Sequence, residues 1–561
     1  MFQLIRSKLL LEIAILMLLV LAIAVPRLVE VAQFTTPDEY MWLTRSANFL
    51  DALANQDFTS TYQKEHPGVT VMWVGAANMF RIYPSYIERQ SGQFDPDEFH
   101  AFMSGKDVPI TLLELLRDSR LMMVVVHITI LVVSYFYARR LLGTIPALLG
   151  FTLIAFDPFH LGLTRLLHLD GLMTNLILLA LLAFLAYIFD KRGVDLFVSG
   201  LAAGLSWLTK SPALFLFPVM GVLVMWEPWQ AFRKRELSVN VLWPPVLIMI
   251  IWALIGVAVF IALWPAMWVA PMRVLQEVFS MAQEFAEAGH ESALYFNGKV
   301  IPDGNIGLEY FYFYPVTYLW RSTPAVLVGL VLAMLGYCTR REPFVRTQSR
   351  VTVFALALTA LLFAAVMTLG DKKFDRYLLP AYPLFDIIAG LGWYGLAIVL
   401  GNRYRSGLLR YAQPLLLVAV IGMQAYSAWS TFPYYLSYYN PLMGGSRKAP
   451  QVMQVGWGEG LDQAARYLNQ KPNVKQLKVI SWYATGPFSY YFEGNDRSFW
   501  YRVDATPDEW DKFVTSDYAV IYIGQWQREI PKPVLDYVSK LKPEHSIWID
   551  GLEYARIYKL P

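Results

Sequence analysis

Long uncharged runs of apolar residues recur along the chain. Runs of this length bury their backbone in lipid only as helices. The pattern therefore predicts a polytopic α-helical membrane protein of about eleven transmembrane helices, some of them shorter than the roughly 20 residues that cross a bilayer comfortably. The predicted segments are 8–28, 119–138, 144–161, 171–189, 195–209, 212–229, 241–264, 322–338, 351–369, 380–400 and 411–431.

Basic residues collect in alternate connections, which predicts the orientation of the helices by the positive-inside rule. The N-terminus is then cytoplasmic, and the first segment is an uncleaved helix because no small-residue cleavage site follows it. The outer side receives loop 29–118, turn 158–170, loop 265–321 and the tail from 432. The cytoplasmic cations are Arg6, Lys8, Arg139, Arg140, Lys191, Arg192, Arg233, Lys234, Arg235, Arg340, Arg341, Arg346, Arg350, Arg403, Arg405 and Arg410.

The first outer loop and the tail each have a pattern of their own. Residues 38–54 and 67–83 have helical apolar spacing with interleaved aromatics, which predicts two helices lying in the membrane interface. The tail is polar after Pro450 and mixes helix-like with strand-like stretches, so residues 432–561 are predicted to form a small extracytoplasmic α/β domain beside a membrane domain at 1–431. Its predicted helices are 461–469 and 532–541, and its predicted strands 477–483, 517–523 and 546–558.

Composition agrees with this organisation and excludes other classes. Of 561 residues, 56% are hydrophobic and 16% charged, against about 25% charged in a soluble domain. The net charge of +3 and the absence of a basic block argue against nucleic-acid binding. The single cysteine, Cys338, excludes an intrachain disulfide and a cysteine metal site.

Several charged clusters fall on the predicted outer side of the membrane. Each has an ordinary explanation: Asp38 as a helix N-cap, Arg165 and Asp170 as an ion pair, Lys210 reaching to head groups, the basic cluster from Lys372 contacting anionic lipid. All of these clusters lie at the same predicted face of the membrane, which instead favours a pocket that holds an anion at the outer interface. The clusters comprise Asp38, Glu39, His66, Asp157, Arg165, His168, Asp170, Lys210, Lys372, Lys373 and Arg376.

These residue types suit glycosyl transfer from a polyprenyl phosphate. The leaving phosphate is a weak base that needs cations, and the attacking hydroxyl needs one general base. We therefore expect Asp38 to be the base, and Lys210 with the cations Lys372, Lys373 and Arg376 to bind the donor phosphate. A glycosidase would instead place two carboxylates in a soluble cleft.

An ordered set of motifs at these residues resembles the GT-C membrane glycosyltransferases, specifically glycosyltransferase family 39, which includes the protein O-mannosyltransferases and the aminoarabinose (lipid A) transferases. Two departures concern the acceptor: neither the inserted β-trefoil of eukaryotic protein mannosyltransferases nor the Trp-Trp-Asp signature of oligosaccharyltransferases is found. In addition, His66-Pro67 replaces the Lys-Pro-Pro of the aminoarabinose branch, so the phosphate-binding lysine of that branch is not carried over to this position. The motifs are TPDEY (36–40), EHPGVTVMW (65–73), RLLHLDGLMT (165–174), GLSWLTKSP (204–212), FYFYPVTYLWRSTP (311–324), KFDRYLLPAYP (373–383), YYLSYYNPLMGG (434–445) and GWGEGLDQAARYLN (456–469).

The resemblance implies a GT-C core with Asp38 as catalytic base and Glu39 beside it. Arg165, His168 and Asp170 would line the same cavity, with His66 and Asp157 near the sugar. The donor would be a polyprenyl-phosphate monosaccharide, transfer would be inverting, and no metal would be required. The acceptor would be a lipid, a glycan or a protein, and the location a prokaryotic plasma (inner) membrane.

Two alternatives remain open on the sequence. A divalent cation could be held by Asp38, Glu39 and either Asp157 or Asp170, since carboxylate oxygens are its preferred ligands. A transporter or flippase of lipid-linked sugars would predict charges near the bilayer centre and an internal repeat, and the sequence has no such repeat. A sensor function would rest only on the presence of the C-terminal domain.

Overall fold

A computed structural model describes residues 2–64, 66–89, 92–234, 239–287, 293–302, 304–404, 406–498, 506–528 and 530–561. Glu65, Arg235 and Arg405, which were used above, lie outside these residues. Each predicted apolar segment is helical. The corresponding helices are Phe2–Leu28, Leu112–Leu142, Thr144–Ala155, Leu169–Asp190, Gly193–Thr209, Leu216–Val224, Val239–Leu263, Pro324–Thr339, Thr347–Leu369, Ala381–Arg403 and Ala412–Trp429.

Within the described ranges, seven helices are long and apolar enough to cross a membrane. An eighth span is counted if Phe313–Arg321 and Pro324–Thr339, which are bent by 115°, act as one. Thr144–Ala155 and Gly193–Thr209 are apolar but shorter. The former ends before Asp157-Pro158, because a proline disfavours the helical conformation of the residue before it. The polytopic helical fold is therefore confirmed, and the number of full-length spans is smaller than the number of apolar segments.

Small residues let these helices approach closely, as is common between membrane helices. A Cβ added at Gly392 would lie 2.0 Å from the carbonyl oxygen of Gly329, and one at Gly390 would lie 2.6 Å from the backbone nitrogen of Gly150. Helix Ala381–Arg403 thus packs backbone to backbone against two neighbours at the centre of the helical part.

The first outer loop contains the two predicted helices, at Glu39–Ala54 and Val69–Ile82. They pack against each other, with Gly75 leaving room for the Ser46 side chain. The Trp73 indole donates to the carbonyl of Leu263 at 2.8 Å, which ties this pair to the membrane helices. Shorter helices follow at Tyr86–Arg89 and Pro96–Met103.

The C-terminal part is a mixed sheet with helices, as predicted. Strands β3 (Lys478–Ser481), β4 (Asn495–Ser498), β5 (Tyr518–Tyr522), β6 (His545–Ile549) and β7 (Leu552–Lys559) have the order β4-β3-β5-β7-β6. Pairs β3–β4 and β3–β5 are parallel, and β5–β7 and β6–β7 are antiparallel. The helices of this domain are Leu461–Leu468, Pro507–Val514 and Lys532–Val538, and a separate hairpin, β1 (Leu294–Phe296) with β2 (Lys299–Ile301), belongs to loop 265–321.

Two details of the sheet differ from the predicted strands. The predicted strand 546–558 is a hairpin, because Asp550 and Gly551 both have positive φ, the conformation of a tight two-residue turn. Strand β4 was not predicted, since its sequence NDRS has no apolar alternation. It is held by parallel pairing with β3 instead.

The C-terminal domain docks directly onto the residues that precede Asp38. Tyr491 donates to the carbonyl of Ala32 at 2.7 Å. Gly458 has φ +112°, and a Cβ there would lie 2.1 Å from the carbonyl oxygen of Thr35. Only glycine fits this approach without strain, so the domain fixes the backbone from which Asp38 projects.

Candidate active site

Asp38 lies at the start of helix Glu39–Ala54, but its carboxylate does not cap that helix. The N-cap explanation is therefore wrong for this side chain. Its Oδ2 atom instead lies 3.1 Å from His168 Nε2 and 3.5 Å from an Arg376 guanidinium nitrogen. The side chain is 34% exposed, so it is both held in place and open to a ligand.

The hydrogen bonds of His168 define which of its ring nitrogens carries the proton. The backbone N–H of Asp170 donates to His168 Nδ1 at 3.3 Å. With Nδ1 accepting, Nε2 carries the hydrogen of a neutral imidazole and donates it to Asp38. His168 therefore orients Asp38 rather than competing with it for a proton.

A second carboxylate, Asp170, anchors the cations behind Asp38. Lys210 Nζ lies 2.7 Å from Asp170 Oδ1, and Arg376 Nε lies 3.6 Å from Asp170 Oδ2. Lys210 occupies an extended break between helix Gly193–Thr209 and the turn that follows. Asp170 is fully buried, so its negative charge requires neighbouring cations. Its contacts with Lys210 and Arg376 in turn position these two cations near Asp38.

The surrounding charges fix the ionisation of Asp38. Burial disfavours its charged form, but the hydrogen bond from His168 and the charges of Arg376 and Lys210 outweigh burial and lower the pKa well below its ordinary value. Burial likewise opposes the charge of Arg376, yet Asp38 and the neighbouring acids raise the pKa of this guanidinium. Asp38 is thus an anion throughout the physiological range.

An apolar cavity of about 390 Å³ opens beside Lys210. Its polar end is formed by His66, Lys210 and Lys372, while Leu214, Val366, Met367 and Leu369 line the remainder. Burial, together with the charges of Lys210 and Lys372, lowers the pKa of His66 to about 3, so this imidazole is neutral. The lining therefore combines two cations with apolar side chains, the combination that a lipid phosphate requires.

Four predicted site residues lie in separate environments. Glu39 is fully buried and paired with Arg120. Burial disfavours the charged carboxylate, but the Arg120 guanidinium outweighs burial and lowers the pKa of Glu39. Arg165 donates to the carbonyls of Val29 and Glu30, and Lys373 donates to the carbonyl of Gly307 at 2.9 Å.

Asp157 is the fourth of these residues. It accepts the backbone N–H of His160 at 2.7 Å and so caps helix Pro158–Leu163. The structure thus brings together Asp38, His168, Asp170, Lys210 and Arg376, with His66 and Lys372 at the cavity.

Sequence reasoning missed several residues that complete the surroundings. Arg120, the partner of Glu39, lies inside an apolar helix, and such a buried charge is itself a signal. Arg321 pairs with Asp375 at 2.7 Å. Trp457, from the C-terminal domain, contacts both His168 (ring centroids 5.2 Å apart) and Arg376 (4.5 Å from the ring centroid). Trp457 lies in the motif GWGEGLDQAARYLN (456–469), but the motif does not indicate these contacts, because they are made with residues far away along the chain.

The acids considered as ligands in the divalent-cation alternative have other partners in the structure. Among the residues that the structure describes, no group of three or more His, Cys, Asp and Glu side chains is placed to hold an ion. Asp38 faces His168 and Arg376, whereas Glu39 faces Arg120. The acids proposed as ligands are thus each engaged by cations or backbone groups.

Comparison with known proteins identifies similar sequences and folds. Residues 115–264 match the family model of dolichyl-phosphate-mannose-protein mannosyltransferases. The S. cerevisiae protein O-mannosyltransferase Pmt1–Pmt2 complex bound to the sugar donor is similar in structure, with a TM-score of 0.50, 11% identity and coverage of 76% of this chain and 90% of that chain. A comparison with curated proteins finds no match.

Two further solved structures are similar at lower scores. ArnT from Cupriavidus metallidurans bound to undecaprenyl phosphate has a TM-score of 0.46 and 13% identity over 98% of both chains. The Archaeoglobus fulgidus oligosaccharyltransferase in its apo form has a TM-score of 0.46 and 11% identity over 91% of this chain and 70% of that chain. The resemblance predicted from the sequence is confirmed: the chain has the fold of the GT-C membrane glycosyltransferases. Within that class, its residues 115–264 match the protein O-mannosyltransferase family.

Proposed function

We propose that this protein transfers a monosaccharide from a polyprenyl-phosphate donor to a hydroxyl group of a lipid, glycan or protein acceptor, with inversion at the anomeric carbon. The observation that carries the proposal is the placement of Asp38. It is an ionised, partly exposed carboxylate, oriented by His168 and Arg376, and the neighbouring Lys210 lines a cavity whose walls are otherwise largely apolar.

The reaction follows from these residues. Asp38 accepts the proton of the acceptor hydroxyl while that oxygen forms a bond to the anomeric carbon. The bond between the anomeric carbon and the phosphate oxygen breaks, and its electron pair leaves with the polyprenyl phosphate. One displacement inverts the anomeric centre, and general-base assistance of this kind contributes typically 100- to 10,000-fold to the rate, an order-of-magnitude range.

The donor phosphate would bind between Lys210, Lys372 and Arg376, with its prenyl chain in the apolar cavity. A bound phosphate there would share the cations that now stabilise the anionic form of Asp38. Its arrival would therefore raise the basicity of Asp38, because less positive charge would oppose protonation. Donor binding would thus prepare the base, and the cations would next stabilise the charge that develops on the leaving phosphate.

Two further features support the proposal. The matched family is described by its use of a dolichyl-phosphate-linked mannose, and the Pmt1–Pmt2 structure was determined with its sugar donor. The basic residues of alternate connections favour an extracytoplasmic site and C-terminal domain and a cytoplasmic N-terminus. Arg165, Asp157 and Glu39 then support the site without touching substrate.

The proposal is tested by mass spectrometry of the products. Purified protein is incubated with a panel of polyprenyl-phosphate sugars and envelope extract, and the predicted product is an acceptor heavier by one sugar residue. Product formation should persist in EDTA; loss of activity that a divalent cation restores would favour the metal alternative. Movement of the donor across vesicle membranes without a covalent product would favour a flippase and overturn the proposal.

Substitution of Lys372 tests the phosphate site. Lys475, which lies in the C-terminal domain and outside the cavity, is the matched control lysine. Lys372→Ala should raise the KM for the donor about tenfold, the loss expected for one hydrogen bond to a charged group, whereas Lys475→Ala should leave it unchanged. An unchanged KM in Lys372→Ala would remove this residue from the phosphate site.

A further inference from the structure

A second, smaller cavity lies on the other side of Arg376. Its volume is about 60 Å³, and its walls come from the membrane domain, the β1–β2 hairpin and the C-terminal domain. Arg376 lines this cavity and also contacts Asp38, so the cavity is one side chain away from the proposed base. The first cavity is lined instead by Tyr377, the next residue in the chain.

The walls of this cavity combine two kinds of group. The charged and polar members are Arg321, Lys373, Asp375, Arg376, Gln454 and Glu459, and the aromatic members include Trp457, Phe374 and Phe296. Hydrogen-bonding groups between aromatic faces are the combination that recognises a ring carrying several hydroxyl groups. An alkyl chain would make no hydrogen bonds to these polar groups.

The size of the cavity restricts the ligand further. By volume it has room for roughly four to six water molecules. One sugar ring takes about that space, whereas a glycan chain, a peptide or a lipid tail needs far more. The cavity is thus suited to a single monosaccharide unit next to the reacting atoms.

The C-terminal domain supplies two of these groups through a loop of unusual backbone geometry. Gly456, Gly458 and Gly460 all have positive φ, between +86° and +112°. The loop presents Trp457 and Glu459 from the positions between them. Glu459 is 2% exposed and accepts the backbone N–H of Trp457 at 2.5 Å. Positive φ is unfavourable for most residues but accessible to glycine, so these three glycines allow the loop to place Trp457 and Glu459 in the wall of the cavity.

The cavity is also closed by the β1–β2 hairpin. The backbone N–H of Asn297 donates to the carbonyl of Val452 at 2.8 Å, and that of Tyr295 donates to Gln454 Oε1 at 3.3 Å. Leu294, Tyr295 and Phe296 of the hairpin all face the cavity. Loop 265–321 and the C-terminal domain therefore both contribute to the walls of one cavity.

We infer that this cavity is a monosaccharide subsite, built from Trp457 and Glu459 of the C-terminal domain and Arg321 and Asp375 of the membrane domain. The inference rests on the proposed glycosyl transfer and adds to it the recognition of one sugar ring. That ring belongs either to the donor or to the acceptor. The chemistry is the same in both cases, and the experiment distinguishes them.

Protection of a cysteine tests occupancy directly. The natural Cys338, which is exposed, is first replaced by serine. Gln454→Cys then places a thiol in the cavity wall, and Trp548→Cys places one at an exposed position of the same domain (58% exposed). The rate of modification by methyl methanethiosulfonate, a small neutral reagent, is measured in the full chain with D-mannose, D-glucose or N-acetylglucosamine.

At least one of these sugars should slow modification of the Gln454→Cys thiol several-fold and saturably, and none should affect the Trp548→Cys thiol. Protection by a polyprenyl-phosphate sugar but not by polyprenyl phosphate assigns the ring to the donor, and protection only by a glycan acceptor assigns it to the acceptor. Protection by polyprenyl phosphate alone, or by no compound, overturns the inference.

Kinetics provide an independent test. Glu459→Gln and Trp457→Ala should raise the KM for the sugar-bearing substrate about tenfold or more, with partial recovery in Trp457→Phe and no effect of Trp548→Ala. If Asp38→Asn abolishes transfer while the Glu459 and Trp457 variants keep normal KM values, the subsite is wrong and the transferase stands. If the wild type transfers no sugar, the proposed function fails, while the protection assay still reports binding.

Discussion

Substitution of Glu39 separates a structural role from a catalytic one. The family resemblance implies that Glu39 works beside Asp38, whereas the structure turns it towards Arg120 with both side chains fully buried. Glu39→Gln keeps the size of the side chain and removes its charge. The structural assignment predicts a loss of stability, and the catalytic assignment predicts a loss of turnover.

The magnitude follows from the contacts of the carboxylate. Oε1 accepts from Arg120 Nε at 2.7 Å and from the Leu167 backbone at 3.0 Å, and Oε2 accepts from Arg120 Nη2 at 2.5 Å and from the Thr36 backbone at 3.0 Å. In glutamine an NH₂ group replaces one of the two oxygens and cannot accept hydrogen bonds from the donors on that side. The Arg120 guanidinium also loses its counter-ion. Removing one partner of a buried pair costs about 3–5 kcal/mol.

The assay is the apparent melting temperature of purified protein in detergent, measured by tryptophan fluorescence beside transfer activity. Glu39→Gln should lower the melting temperature by at least about 5 °C, whereas Glu98→Gln, at an exposed position of the same loop, should lower it much less. Replacing both partners, as in Glu39→Gln with Arg120→Met, should restore part of the loss. A normal melting temperature with abolished turnover in Glu39→Gln would refute the structural assignment.

Further predictions concern pH and packing. Burial raises the pKa of the Asp462 carboxyl to about 6 from its ordinary value of 3.8. The folded protein therefore binds this proton more tightly than the unfolded chain does, and the stability of the fold declines as the pH rises from about 4 to about 6. Asp462→Asn should remove that decline and gain at most about 3 kcal/mol at pH 7; an unchanged pH profile of the melting temperature would contradict it. Gly392→Ala should lower the melting temperature, because its Cβ would meet the Gly329 carbonyl, whereas Gly422→Ala, which meets nothing within 4 Å, should not.

Much of the fold could be predicted because it depends on local pattern. Apolar runs identified every membrane-associated helix in the list above, and helical spacing identified Glu39–Ala54 and Val69–Ile82. Strand β4 could not be predicted, since its pairing with β3 rather than its own residues makes it a strand. The turn at Asp550-Gly551 carried a recognisable signal, because an Asp-Gly pair favours a two-residue hairpin turn.

The candidate site was predicted in outline and not in its contacts. Charges set against an apolar chain pointed to Asp38, Asp170, Lys210 and Arg376, since such charges need partners wherever they are buried. The same argument could not separate Asp38 from Glu39, which are adjacent in sequence but face His168 and Arg120 respectively. Only the packing of helix Glu39–Ala54 against its neighbours determines that difference.

The role of the C-terminal domain depends on long-range contacts. Trp457 lies nearly 300 residues from His168 and reaches it because Gly458 allows the loop to approach Thr35. The alternating glycines in 456–460 are visible in the sequence, but the residues that they approach in the fold cannot be read from it. The C-terminal domain therefore contributes to the candidate site rather than forming a separate binding module. The local sequence pattern of the domain does not indicate this contribution.

The most direct test of the central claim is the turnover of Asp38→Asn at saturating donor and acceptor. The asparagine keeps the shape and the hydrogen bond from His168 but cannot accept a proton. We predict that kcat falls by about 100- to 10,000-fold, with donor binding retained and the melting temperature within a few degrees of the wild type. Turnover close to that of the wild type would contradict the assignment of Asp38 as the base and, with it, the proposed mechanism.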